Sequence, residues 1–142
     1  MIRFVRATPD NVRQIDAQIE QFGERDFYDH NLERLLANAF AITCLINDHP
    51  VASGGFEPLW EGRGALWGLF GRDCGPALPA IAKQVRFFLA SCPVNRLELT
   101  VRESFGAGCR LAALLGLNAE ARLLGFFPDG STAVLYSRVL RS

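Results

Sequence analysis

Lysine is almost missing from this sequence: Lys83 is the only lysine among 15 basic residues, and the others are arginine. The 15 acidic residues bring the formal net charge to zero. A neutral chain has no broad electrostatic field to attract a polyanion, so the composition argues against nucleic acids and membrane surfaces as partners. Arginine suits bidentate recognition of phosphate, but a genome with biased codon usage is the favoured explanation of the imbalance.

The sequence also lacks a metal-binding or disulfide pattern. Its four cysteines are far apart, form no C-x-x-C pair and have no histidine cluster beside them: Cys44, Cys74, Cys92 and Cys109. We therefore expect no metal, and we interpret the cysteines as small buried residues in a reducing compartment. No segment approaches the ~20 apolar residues of a membrane-spanning helix, and residues 1–10 contain no signal-like apolar run. These absences predict a cytoplasmic protein.

Length and periodicity predict the first elements of the fold. The 142 residues are 49% hydrophobic, which suits one globular domain over residues 1–142. The strand IRFVR is followed by a helix over residues 8–23, which Thr8 caps and Gly23 ends. The apolar face of this helix is formed by Val12, Ile15, Ile19 and Phe22. A second short helix is predicted around Asn31 to Asn38.

The remaining elements alternate between strands and helices. FAITCLI and VASGGFE form a hairpin around NDHP, GALWGLFG is a further strand, and ALPAIAKQVRFFLA is an amphipathic helix. NRLELTVRE is a strand, a helix runs from Phe105 to Leu115 and stops at Gly116, and two strands joined by PDG complete the chain. The order β-α-α-β-β-β-α-β-α-β-β predicts a mixed α/β domain with an antiparallel start and a central crossover.

This order and three local stretches resemble the GNAT superfamily of N-acetyltransferases over nearly the whole chain. IRFVRATPDNVRQI is similar to the opening strand and helix of the family, and LLGLNAEARLLGFFPDGSTAVLYSRVL is similar to its closing segment. The positions that match the closing segment are Gly116, Leu117, Glu120, Arg122, Asp129, Gly130 and Tyr136. The resemblance implies a mostly antiparallel sheet flanked by helices, and acetyl-CoA as the co-substrate.

The third stretch is RDCGPA, residues 72–77. In the family a Q/R-x-x-G-x-G/A loop between the fourth strand and the next helix binds the pyrophosphate of acetyl-CoA. The resemblance therefore assigns cofactor binding to Arg72, Cys74, Gly75 and Ala77. Independently, the N-terminus of a helix offers unpaired N–H groups and a partial positive charge to an anion.

Two features of this loop favour a different interpretation. Pro76 has no N–H, and Asp73 puts a negative charge beside the predicted phosphate site. Pro79 predicts a delayed start of the helix. The competing interpretation is therefore a proline-stiffened loop that only caps the helix.

The resemblance also suggests groups for the chemistry. It places the thioester in a cleft between the fourth and fifth strands, with the backbone N–H groups around Leu69 and Phe70 as oxyanion donors. Transfer to an amine needs a base, for which Glu57, then Glu103, then Glu98 are the candidates. For each of these carboxylates, a solvated surface role is the alternative.

Other positions bear on the acceptor site and on catalysis. Tyr28 and Phe27 lie where the family places its acceptor-binding loop. EPLWEGRGALWG suggests a substrate wall, with Trp60 exposed and Glu61 attracting a cationic amine. The alternative is core packing by Trp67 and a polar loop around Glu61. The tyrosine and asparagine that family members often carry in the later helix are replaced here. Their positions correspond to Ala112 and Phe105.

Two functions therefore remain open. The first is an acetyl-CoA-dependent N-acetyltransferase, in which a small-molecule or protein amine attacks the thioester directly. The second is a catalytically degenerate GNAT-fold binding or structural protein, with side chains such as Phe70, Phe105 or Leu99 filling the cleft. The stretches ALWGLFGRDCG and RLAALLGL resemble phage-borne GNAT-like proteins, which favours the second function. The oligomeric state is open, although homodimers are common in this fold.

Overall fold

The computed structural model describes residues 1–38 and 40–140, apart from the side chains of Ile19 and Phe22. The helices and strands, in chain order, are β1 (Ile2–Arg6), α1 (Pro9–Arg13), α2 (Phe22–Leu36), β2 (Ala41–Ile46), β3 (His49–Trp60), β4 (Arg63–Phe70), α3 (Leu78–Ser91), β5 (Arg96–Arg102), α4 (Gly106–Leu114), β6 (Asn118–Leu123) and β7 (Ala133–Val139). Short 3-10 helices, Ile19–Gln21 and Gly75–Ala77, precede α2 and α3. The predicted order of elements is confirmed.

Seven strands form one sheet in the order β1-β2-β3-β4-β5-β7-β6. The pairs β1–β2, β2–β3, β5–β7 and β6–β7 are antiparallel, and β4–β5 is parallel. The strands of the parallel pair are joined by α3, which supplies the long crossover connection that two parallel neighbours need. The predicted mixed α/β class with a mostly antiparallel sheet is therefore confirmed.

Tertiary contacts group the chain into two compact units, Met1–Glu57 with Trp67–Ile81 and Pro58–Leu66 with Ala82–Ser142. The first unit has a core of buried side chains: Ala7, Val12, Ile15, Ala17, Leu32, Leu35, Leu36, Ala41, Trp67 and Leu69. In the second unit the buried side chains include Leu89, Leu97, Val101, Phe105, Leu111, Ala112, Leu115, Leu117, Ala133 and Tyr136. The single domain expected from the length stays a prediction.

The first helix is shorter than the sequence predicts. α1 ends at Arg13, and Gly23, the predicted end, lies in the first turn of α2. Arg25 explains the early end, because its guanidinium donates to the carbonyls of Val12 at 3.2 Å, Arg13 at 2.6 Å and Ile15. Val12 and Arg13 are the last two residues of α1 and Ile15 lies just beyond its C-cap, a region where cationic side chains commonly bond to backbone carbonyls.

The predicted helical faces are partly within the described structure. Val12 and Ile15 are buried as predicted, whereas the side chains of Ile19 and Phe22 lie outside the described residues. The predicted second helix, Asn31 to Asn38, is the C-terminal half of α2, which ends at Leu36.

Helix α3 follows the predicted pattern and starts without delay. Ile81 and Leu89 are buried, and Lys83 is exposed on the opposite side. Pro79 is the second residue of the helix, where an N–H would have no intrahelical acceptor. Gly116 ends α4 with a φ of 82°, the left-handed conformation that glycine adopts without strain.

Both hairpins in the middle of the sheet end in tight turns. Asn47 and Asp48 have φ values of 47° and 68°, which is the backbone of a type I′ turn. Strand β3 continues to Trp60, so EPLWEG is a strand end and a turn. The Trp60 ring is exposed, and the guanidinium of Arg63 lies 4.2 Å from its centroid. Trp67 is buried in the core of the first unit.

The close approach of β3 to its neighbours can be tested at Gly55. A Cβ atom there would lie 2.5 Å from the carbonyl oxygen of Phe40 and 2.9 Å from Nε1 of Trp67. Because a backbone carbonyl cannot rotate aside, we expect Gly55→Ala to lower the free energy of unfolding by about 1–3 kcal/mol. Urea unfolding followed by tryptophan fluorescence measures this loss. Gly75→Ala is the control, since a Cβ there meets nothing within 4 Å. Equal losses in the two variants would contradict the packing.

Candidate active site

The two backbone edges of β4 have different partners. Gly71, directly after the strand, donates its N–H to the carbonyl of Val51 in β3 at 2.7 Å, so odd-numbered residues such as Leu69 face β3. Because backbone groups alternate along a strand, Gly68 and Phe70 present their N–H and carbonyl groups on the opposite edge. Of the two predicted oxyanion donors, only the N–H of Phe70 therefore lies on this opposite edge. Leu69 has a fully buried side chain.

The opposite edge of β4 is hydrogen-bonded to the residues Asp16–Gln21, which we call the 16–21 segment. The N–H of Gln18 donates to the carbonyl of Phe70 at 2.9 Å. The N–H of Arg72 donates to the carbonyl of Asp16 at 2.8 Å. These two bonds frame one isolated antiparallel bridge, so the segment pairs with the end of the strand without forming a strand itself.

The side chain of Gln21 continues this pairing toward the middle of β4. Its Nε2 donates to the carbonyl of Gly68 at 2.8 Å, and its Oε1 accepts from the N–H of Phe70 at 2.7 Å. Gln21 is only 5% exposed, so both bonds are shielded from water. A backbone hydrogen bond from Gly68 also reaches the phenol of Tyr28, whose pKa is raised by burial. The edge from Gly68 to the N–H of Arg72 is thus fully hydrogen-bonded within the chain.

The predicted phosphate loop, residues 72–77, uses most of its donors in the same way. Four N–H groups in and just after the loop donate to carbonyls of the chain: those of Arg72, Cys74, Ala77 and Leu78. Pro76 has no N–H. Gly75 is exposed, and the space where its Cβ would stand is open for 4 Å. Gly75 is therefore the part of the loop that another molecule can approach most closely.

The side chains of the loop point to different surroundings. Arg72 has its Nε 3.4 Å from the carbonyl of Ala17 and 3.7 Å from a carboxylate oxygen of Asp16, so it lies against the 16–21 segment. Its side chain is nevertheless 58% exposed. Cys74 is buried, which raises the pKa of its thiol, and its Sγ is 3.8 Å from Nε2 of Gln18. The side chain of Ala77 is fully buried.

Two of the candidate bases are held in ion pairs. Glu57, in β3, pairs with Arg34 of α2. Glu103 lies 2.6 Å from Nε of Arg122, and the hydrogen bond from that guanidinium holds the pKa of Glu103 below its ordinary value. A carboxylate with a lowered pKa is a weaker proton acceptor. The roles of both residues as bases stay predictions.

Glu98, the third candidate, belongs to a cluster of ion pairs in the second unit. Its Oε2 is 2.7 Å from Nε of Arg63 and 2.6 Å from Nε of Arg96, and the residue is 9% exposed. The hydrogen bond from Arg63 is the largest cause that lowers the pKa of Glu98. Arg96 also pairs with Glu120 at 2.8 Å and lowers the pKa of that carboxyl to about 2. This geometry suits a structural role for Glu98.

The two positions that depart from the resemblance are both buried. Ala112 is fully buried, and Phe105 is 4% exposed at the N-terminus of α4. A Cβ at Gly108 would lie 2.7 Å from the ring of Phe105, so this ring packs directly under the helix. Both residues are therefore part of the core of the second unit.

Sequence reasoning missed Gln21, which makes the closest side-chain contacts to the β4 edge. The predicted helix over residues 8–23 placed this glutamine on a regular helix. No sequence signal links it to Gly68 and Phe70, 47 and 49 positions away.

Acetyl-CoA, which the resemblance implies, does not fit the β4 edge as these residues are placed. The N–H of Phe70, its predicted oxyanion donor, is bonded to Gln21, and four N–H groups in and just after the loop are bonded to carbonyls.

Across residues 1–38 and 40–140, no group of three or more His, Cys, Asp or Glu side chains is arranged to hold a metal ion. The helices described over the same residues are all too short or too polar to cross a membrane.

The ion-pair cluster around Glu98 predicts a pH dependence of stability. The folded-state pKa of Glu98 is lowered, so its stabilisation is complete above the unfolded value near ~4.3 and is lost as the pH falls through the lowered value. We expect Glu98→Gln to reduce the free energy of unfolding by roughly 1–3 kcal/mol at pH 7.

The same substitution should flatten the fall in stability between about pH 5 and pH 3. Urea unfolding at several pH values measures both effects. Glu61→Gln, at an exposed turn position, is the control. A wild-type acid slope in Glu98→Gln would contradict the role of the cluster.

Comparisons with known proteins found similar solved structures but no similar sequence family. No protein-family model and no curated protein matches the sequence. Among solved structures, Ard1 from Thermoplasma volcanium is similar with a TM-score of 0.77 and 12% identity, covering 99% of both chains. The ribosomal-protein-S18-alanine N-acetyltransferase from Escherichia coli has a TM-score of 0.71 and 17% identity, covering 100% of this chain and 96% of that one.

An acetyltransferase of the GNAT family from Streptococcus pneumoniae is also similar, with a TM-score of 0.67 and 14% identity, covering 99% of this chain and 100% of that one. Identities this low show the fold alone. The chain has the fold of the GNAT N-acetyltransferases.

Proposed function

We propose that the protein is a GNAT-type N-acyltransferase that takes an acetyl group from acetyl-CoA and transfers it to an amine. The observation that carries this proposal is the fold, which matches structures named as acetyltransferases over almost the full length of both chains. The connection from β4 through residues 72–77 into α3 gives local support, because Arg72 and Gly75 stand on it in the expected order. The proposal includes a cytoplasmic location.

Two residues of the loop are exposed enough for a phosphate to approach them. The side chain of Arg72 is more than half exposed, and the open space beside Gly75 allows a ligand to approach the backbone. An arginine fork binds phosphate oxygens through charge-assisted hydrogen bonds. We assign pyrophosphate binding to these two residues, with Cys74 and Ala77 shaping the loop from the core side.

The acceptor is proposed only as a chemical class. An amine of a small molecule or of a protein fits direct attack on a thioester, with a carboxylate or water taking the proton. One structural neighbour is named as an N-acetyltransferase of a ribosomal protein, which makes a protein amine one of the acceptors to test.

A second function is favoured by a specific observation, the saturated edge of β4. In this alternative the GNAT fold serves as a binding module that transfers no acetyl group. The pairing of the 16–21 segment with Phe70 and Arg72 would then be permanent, and the buried amide of Gln21 would be a fixed part of the core.

Binding of acetyl-CoA tests the proposed function. We expect isothermal titration calorimetry to show micromolar binding to the wild type. Arg72→Ala should weaken it about tenfold or more, because hydrogen bonds from a charged group are lost. Arg86→Ala, at an exposed position of α3, is the charge-matched control and should bind like the wild type.

Two outcomes would contradict these assignments. If neither the wild type nor Gln21→Met, which lacks the amide bonded to β4, gives heat at near-millimolar acetyl-CoA, the proposal fails and the binding module is favoured. If both bind but Arg72→Ala binds equally well, the assignment of pyrophosphate to Arg72 is wrong.

A further inference from the structure

We propose that the 16–21 segment is a displaceable cover over the β4 edge, and that acetyl-CoA must break the bonds of Gln21 to Gly68 and Phe70 in order to bind there. The proposal rests on the proposed function and adds a regulatory step to it. The cover is part of the chain itself, so the affinity for acetyl-CoA depends on how firmly this segment is held.

The chemistry of Gln21 suits an exchange with a ligand. Its carboxamide donates one hydrogen bond to Gly68 and accepts one from Phe70, which is what a secondary amide lying along the strand edge would also do. The side-chain amide therefore satisfies a buried strand edge that would otherwise carry unpaired polar groups. A ligand amide in its place would give new partners to the carbonyl of Gly68 and the N–H of Phe70, the two groups that Gln21 bonds.

The segment is attached to β4 more weakly than a strand would be. Its backbone contributes a single antiparallel bridge, at Ala17 and Gly71, and its last three residues form only one 3-10 turn. Displacement breaks the two bonds of the Gln21 amide, the two backbone bonds beside the bridge, and the bond from Nε2 of Gln18 to the carbonyl of Gly71. Ala17 also leaves its buried position, so the opening is a local unfolding event, which costs less than unfolding of the whole unit.

The start of α2 is also weakly stabilised. Gln21 occupies the N-cap position of α2, but its side chain makes no capping bond because it is used on β4. Gly23, in the first turn, lowers helix stability relative to other residues. Movement of the 16–21 segment can therefore be accommodated by the first turn of α2.

The residues before the segment are firmly held. Arg25 donates to the carbonyls of Val12, Arg13 and Ile15 and pairs with Asp29 at 3.3 Å. This contact fixes the chain up to Ile15, so that displacement is confined to the residues that follow. The residues up to Ile15 are therefore held in place, whereas the first turn of α2, after the segment, can move.

Removal of the amide tests the cover directly. We expect Gln21→Met, which keeps the length of the side chain but makes neither bond, to bind acetyl-CoA about tenfold more tightly than the wild type. Gln14→Met, the same substitution at an exposed glutamine of the same connection, is the matched control and should leave the dissociation constant unchanged. Circular dichroism and urea unfolding establish that both variants are folded.

The outcomes separate the cover from the proposed function. Equal dissociation constants for folded wild type and Gln21→Met would overturn the cover and leave the acetyltransferase proposal standing. An absence of binding in both proteins would overturn the proposed function and, with it, the cover. Tighter binding in Gln21→Met alone supports both.

Hydrogen exchange of the wild type provides a second test that needs no substitution. On addition of acetyl-CoA, the amides of Gln18 and Arg72 lose their partners across the bridge and should exchange faster. The amide of Phe70 should stay protected, because the ligand replaces Gln21 as its acceptor. Slower exchange at Gln18 and Arg72 in a complex that binds acetyl-CoA would contradict displacement of the segment.

Discussion

The requirement that a buried strand edge be hydrogen-bonded organises the first unit of this protein. Strand β4 passes beside the core, and its free edge carries polar groups that cannot be left without partners. The chain meets this requirement with a loop backbone and one glutamine side chain rather than with a full strand. As a consequence, residues 16–21 pair with β4 instead of forming a regular helix, and α2 begins without a side-chain cap.

Arginine side chains connect several other parts of the fold through hydrogen bonds. Lysine could not make the same contacts, which gives a structural reason for its near absence. Arg25 binds three carbonyls after the first helix, and Arg138 donates to the carbonyls of Leu89 and Cys92. Arg96 links two carboxylates, one of them through two parallel bonds. A planar fork with several donors can bridge such groups, whereas the single ammonium of lysine cannot match their geometry.

The sequence was sufficient for the order of elements and for the fold class, because both depend on local periodicity and turn residues. The two-residue turn at Asn47 and Asp48, the stop at Gly116 and the buried positions of α3 all follow from such signals. The end of α1 was predicted incorrectly, since it depends on a side chain twelve positions beyond Arg13 in α2.

The candidate site was less predictable for the same physical reason. The loop at residues 72–77 could be located by its pattern, but its N–H groups are occupied by carbonyls that no pattern reveals. The carboxylates could be selected by residue type, but their arginine partners come from other elements of the fold. Periodicity describes which face of an element is apolar, and it contains no information on a polar side chain that reaches a distant backbone.

The exposed position of Lys83 on α3 has a practical consequence for following acyl chemistry. Because the chain contains one lysine, an acetyl group that is transferred to a side-chain amine of the protein itself has one destination. Acetylation of a side-chain amine of the protein would therefore appear as one mass increment on the peptide that contains Lys83, which distinguishes it from transfer to an added acceptor.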